Sequence, residues 1–167
     1  MSPGVAVRPA TAADLHDLGR LGALLVRTHH ELDPARFIAA RPRTEQGYAS
    51  WLGSQLRNPQ VVILAAERDG DILGYTYSEI QGPDYMSLRG AAGVLHDIVV
   101  DPAQRRNGVG RKLLEATLEA LALRGAPQVV LWTAALNEAA QRLFASAGFR
   151  PTMVEMTCRT PPERLAP

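Results

Sequence analysis

Three arginines, an asparagine and two glycines crowd into Arg105-Arg106-Asn107-Gly108-Val109-Gly110-Arg111, between the apolar run "VLHDIVV" (residues 94–100) and an amphipathic stretch. Glycines open the backbone and remove side chains that would hold a ligand away. A helix N-terminus adds unsatisfied N–H groups and the positive end of a dipole. Together these make an anion site, and the usual anion is a phosphate or pyrophosphate. The plain alternative is a glycine-rich turn carrying solvated arginines. Two nucleotide motifs do not fit. A P-loop needs a lysine and then Ser or Thr after its second glycine, whereas Gly110 precedes Arg111, Lys112 and Leu113. The dinucleotide fingerprint needs three glycines at another spacing, early in a βαβ unit.

A second chemistry sits just upstream. His96-Asp97 interrupts the apolar run and breaks strict alternation, which fits a β-bulge that leaves backbone groups free to meet a ligand. Histidine ordinarily titrates near neutrality, so His96 is a candidate general base. Asp97 is expected on the opposite face, where it would attract a cation, and Glu79 near the end of the preceding strand is a third candidate. His29-His30 reads as a helix-end cap. No His, Asp or Glu set has metal-ligand spacing, so no metal is expected.

The elements that position these residues follow from periodicity and punctuation. Residues 4–10 read as a strand, and Thr11 with Asp14 as a capping pair for a helix over 12–30. Residues 31–47 read as a loop or short helix, and 48–58 as a second helix stopped at Asn58-Pro59. Residues 60–82 form two strands about a tight turn at Asp69-Gly70-Asp71, and 83–93 a polar loop. A strand at 94–100, a helix at 108–124, a strand at 127–134 and a helix at 137–147 closed by Gly148 follow. Residues 149–160 are expected as a last strand. The order β-α-α-β-β-β-α-β-α-β makes an α/β chain with a mixed sheet and helices packed on it.

With 167 residues the chain fits one domain, taken as 1–160, with a Pro-rich tail at 161–167. A net charge of +1 gives no general pull toward nucleic acid or membrane, so any electrostatic site is local. Apolar runs such as "VVILAA" are too short to cross a bilayer. The N-terminal stretch lacks a signal peptide's plan, and Cys158 is the single cysteine, which fits a reducing cytoplasm. Lys112 is the only lysine beside abundant arginine, a compositional bias rather than a functional one.

The spacing Arg105-x-x-Gly108-x-Gly110 resembles the R/Q-x-x-G-x-G/A signature of the GNAT superfamily of N-acetyltransferases. "VRPATAADL", "DIVVDPAQRRNGVGRKLL" and "NEAAQRLFASAGF" are similar to that family's first strand and helix start, its strand–loop–helix junction and its N-x-x-A-x-x-x-Y-x-x-x-G-F element. The resemblance implies the GNAT-like acyl-CoA N-acyltransferase fold and transfer of the acetyl group of acetyl-CoA to a primary amine by direct attack. Carried over residue by residue, it assigns coenzyme contacts to Ile98, Val99, Val100, Arg105, Arg106, Asn107, Gly108, Val109, Gly110, Arg111, Asn137 and Phe144. His96 and Asn137 become the catalytic candidates. Backbone N–H groups of Ile98 and Val100 would meet the pantetheine and the thioester oxygen. Phe144 departs from the pattern, because the family commonly has there a tyrosine that protonates the departing thiolate. That departure keeps a second reading open, a catalytically weak acyl-CoA-binding or sensing module. A small-molecule, peptide or protein amine is the expected acceptor, and family habit suggests a homodimer.

Overall fold

In a computed structural model, which describes residues 4–160, a five-stranded sheet runs in the order β1-β2-β3-β4-β5. The strands are β1 Ala6–Pro9, β2 Val61–Arg68, β3 Asp71–Gln81, β4 Ala92–Val100 and β5 Val129–Leu131. The first four pair antiparallel, and β5 joins β4 in parallel, so the sheet is mixed as expected. Asp69 and Gly70 both have positive φ in the tight β2–β3 turn, the geometry a two-residue hairpin requires.

Helices α1 (Leu15–Leu32) and α2 (Thr44–Gln55) cover one face, and α3 (Val109–Leu123) and α4 (Glu138–Ser146) lie on the other. Strand β2 is apolar on both sides because both faces are covered. Ile63 and Ala65 join Leu18, Leu21 and Leu52 beneath α1 and α2, while Val62, Leu64 and Ala66 join Val109, Leu113 and Leu121 beneath α3. The Thr11–Asp14 pair forms, with the Thr11 N–H donating to Asp14 Oδ2 at 2.7 Å. Arg8 grips the same carboxylate with two hydrogen bonds, at 2.8 and 2.9 Å. Helix α2 starts at Thr44, four residues before the sequence periodicity starts it, because Pro42 and Gly47 mask a turn that forms anyway. The α1–α2 contact is close enough that a Cβ on Gly22 would enter the Tyr48 ring, and this holds Tyr48 over the sheet.

The last strand does not form. Residues 149–160 carry no ladder, and 150–160 are exposed. Alternating residues supply propensity, but a strand also needs a partner edge. Strand β5 offers only three residues, and Pro151 brings no N–H. Arg36 holds the segment through a two-pronged contact with Glu155. The 161–167 tail lies outside the described residues.

Candidate active site

The site grows from one irregularity in β4. Tyr77 pairs with Asp97 and Ser78 with Leu95, so His96 is an extra residue with no partner on β3. The expected bulge is there, and it changes the phase of everything after it. Before it, the Gly93 N–H donates to Gln128 O beside β5 at 2.9 Å. After it, the Asp101 N–H donates to Leu73 O on the β3 side at 2.8 Å. Backbone groups alternate sides along a strand, so Asp97 and Val99 face β3 while Ile98 and Val100 face the β5 side. The β4–β5 ladder stops at Leu95–Leu131. Among the described residues, no strand meets the backbone N–H groups of Ile98 and Val100.

The bulge also brings His96 and Asp97 to one cleft instead of opposite faces. His96 Nε2 lies 2.9 Å from Glu79 Oε1, and Gln81 Nε2 donates to the same oxygen at 2.6 Å. An oxygen that takes two donors is a carboxylate acceptor, so Nε2 carries the proton and Nδ1 keeps the lone pair in neutral His96. Arg89 in turn donates to Gln81 Oε1 at 2.9 Å, completing a chain that fixes Glu79. Asp97 is almost fully buried and accepts from the Tyr75 hydroxyl at 2.8 Å. Burial pushes its carboxyl above the usual range, against that hydrogen bond. Burial also pushes the Tyr48 and Tyr77 phenols up to about 12, so both stay neutral.

The cleft, about 450 Å³, is completed by rings that sequence reasoning did not assign to it. Tyr48 and Trp51 come from α2 at helical spacing, and Tyr77 precedes Glu79 by two residues on β3. The Trp51 and Tyr77 rings lie 4.6 Å apart, and Tyr77 and His96 5.3 Å. The alternation Tyr75, Tyr77, Glu79 was the available signal. Trp51 is 45% exposed, on the rim of the cleft.

The glycine loop lies at the far end of β4. Arg106 and Gly108 take left-handed backbone conformations, and Gly108 caps α3. The first helical hydrogen bond there runs from Lys112 N to Gly108 O, which leaves the N–H groups of Val109, Gly110 and Arg111 outside the helical ladder. Arg105, Arg106, Asn107 and Arg111 are exposed around them, while Val109 is buried. This arrangement suits a phosphate. Lys112 is turned away, donating to Val5 O at 3.0 Å.

Two candidates sit apart from the cleft. Asn137 caps α4 by accepting from the Ala140 N–H at 3.2 Å. Phe144 is 6% exposed in a cluster with Leu95 and Leu114, its ring 5.9 Å from Phe149. It is a core residue. Among the described residues, no group of three or more His, Cys, Asp or Glu could hold a metal, and no helix is long and apolar enough to cross a membrane.

Residues 25–149 match the acetyltransferase (GNAT) family. A mycothiol acetyltransferase of Thermobispora bispora is 34% identical over 136 residues, which cover 75% of this chain and 43% of that protein. The chain thus spans less than half the length of that relative. An uncharacterized N-acetyltransferase of Archaeoglobus fulgidus is 29% identical over 140 residues, 83% of this chain and 90% of that one. An aminoglycoside N-acetyltransferase solved in complex with CoA superimposes with a TM-score of 0.71 at 19% identity, covering 99% of each chain.

Proposed function

Because the chain belongs to the GNAT family of acetyltransferases, we propose that it transfers the acetyl group of acetyl-CoA to a primary amine by direct attack. The observation that carries this reading is the bulge. It aims two backbone donors, on Ile98 and Val100, at an open edge and sets His96 beside them in the aromatic cleft.

Acetyl-CoA, when bound, supplies the activated acyl carbon and a thiolate leaving group. The exposed loop from Arg105 to Arg111 and the first N–H groups of α3 hold its pyrophosphate. The Ile98 and Val100 N–H groups hold the pantetheine and polarise the thioester oxygen, donors that need no charged side chain. His96 takes one proton from the acceptor ammonium at Nδ1, with Glu79 fixing its tautomer and orientation. The amine lone pair then makes the C–N bond as the C–S bond breaks. The nitrogen's second proton reaches the sulfur through water, since Phe144 has none to give. Asn137 Oδ1 is committed to its helix cap, so its contribution is to fix the start of α4 beside the coenzyme.

Phe144 favours one other reading, a module that binds acyl-CoA with little turnover. Acetyl-CoA with an amine mixture, monitored for free thiol, decides between them. Amine-dependent thiol release supports the enzyme, and binding without release supports the module. We place the protein in the cytoplasm, in keeping with its single free cysteine, Cys158. We also propose a homodimer, supported by the exposed apolar side chains of Met153, Val154 and Met156. A solution mass near the 18.1 kDa of one chain rejects it.

A further inference from the structure

The cleft's walls constrain what kind of amine can enter. Tyr48, Trp51 and Tyr77 supply flat apolar surface, and the charged groups facing it are the carboxylates of Glu79 and Asp97. A recess of about 240 Å³ adjoins it, shares Tyr48 and His96, and is lined by Leu25, Phe37 and Ile38 with His29. The His29 Nδ1 is already donating to Leu25 O at 2.9 Å. Among the described residues, no arginine or lysine lines either recess, in a chain with 18 basic residues. Nearby guanidinium groups are engaged elsewhere: Arg89 on Gln81, Arg36 on Glu155, Arg27 with Glu45.

On the reading that the chain acetylates amines, we propose that its acceptor is a cationic primary amine on a flat or apolar body, with no carboxylate beside the amine. Glu79 and Asp97 attract the ammonium, and Trp51 and Tyr77 offer ring faces to the body and to the cation. An α-amino acid would bring its own carboxylate next to two others, with no arginine or lysine among the described residues of the walls to receive it. Like charges at such range repel strongly where water is partly excluded. The preference is therefore for an amine over its carboxylated counterpart.

The test compares acceptors that differ only by that carboxylate: tyramine against tyrosine, 2-phenylethylamine against phenylalanine, tryptamine against tryptophan. With acetyl-CoA and the full chain, each amine should exceed its amino acid at least tenfold in kcat/KM for thiol release. In Trp51→Ala, KM for tyramine should rise about tenfold while KM for acetyl-CoA stays unchanged. The half-exposed site makes this variant a tolerable one, and the wild-type comparison needs no variant at all. Amino acids used as well as or better than their amines would overturn the proposal. So would CoA binding, seen as a raised melting temperature, with no member of any pair turned over. Absence of any CoA binding is a different failure, which removes the acetyltransferase reading and this proposal with it.

Discussion

His96 Nε2 and Glu79 Oε1 lie 2.9 Å apart across the β3–β4 ladder, at the one place where its register slips. The histidine is the proton acceptor in the proposed reaction and the glutamate its positioning residue. Replacing His96 by alanine should lower kcat by roughly a hundredfold or more, the usual scale for losing a general base. Glu79→Gln keeps a hydrogen-bond acceptor but loses the charge, so its loss should be smaller. Neither change should alter KM for acetyl-CoA. Steady-state kinetics with both substrates varied would check this, and an unchanged kcat in His96→Ala would pass the role to Glu79 or Asp97.

Gly108 and Gly110 separate backbone strain from ligand access. Gly108 has φ of 77°, so Gly108→Val should cost about 1–2 kcal/mol of stability as well as CoA affinity. A Cβ on Gly110 would meet Leu143 at 3.4 Å and Val100 at 3.6 Å, ordinary contacts. On the proposed reading, Gly110→Ala should keep its melting temperature and still bind CoA more weakly, because a side chain in the first turn of α3 hinders close approach of phosphate to the free N–H groups. Calorimetric titration with CoA measures this, and wild-type affinity would show that the loop is not the phosphate site.

Phe144→Tyr asks whether restoring the family's usual hydroxyl helps. The ring is packed among Leu95, Leu114 and Phe149, so the new hydroxyl would lack a partner and cost about 1–3 kcal/mol. We expect a lower melting temperature and no faster turnover. A faster and equally stable variant would mean that the hydroxyl reaches the sulfur.

Two buried carboxyls respond to acid with opposite signs. Arg8's hydrogen bonds hold Asp14 down to about 2 against an ordinary 3.8. Its stabilisation is therefore full above pH 4 and is lost as pH falls toward 2. The loss is on the order of 1–2 kcal/mol after allowing for the partly exposed arginine. Burial raises Asp97, so that carboxyl opposes folding as pH rises past the ordinary aspartate range and relaxes in acid. Urea unfolding between pH 2 and 5 should lose this acid sensitivity in Arg8→Gln. In Asp97→Asn the dependence should instead become steeper.

What could be read without a structure was what is written locally. Gly108 and Gly110 announce a turn and a helix start by themselves, and the His96-Asp97 break announces a bulge. The cleft could not be read that way. Its lining comes from α2, β3 and β4, and Tyr48 reaches it only because Gly22 lets two helices close up. The expectation that Asp97 points away from His96 failed because alternation was counted through the bulge. The final strand failed for a complementary reason, since Met153, Val154 and Met156 have a strand's composition but the edge strand β5 offers only three residues to pair with.

The unpaired residue in β4 separates two kinds of change that evolution or an engineer could make. Swapping the side chain at position 96 alters the proton acceptor and leaves the direction of every later backbone donor untouched. Removing that residue would instead set Leu95 and Asp97 side by side opposite Ser78 and Tyr77 in a regular ladder, so the Ile98 and Val100 donors would keep their side while the histidine and the local bend of β4 would both be lost. The position is thus open in chemistry and closed in length: new bases can be tried at it by point substitution, while a one-residue deletion takes away the candidate base and the bend together.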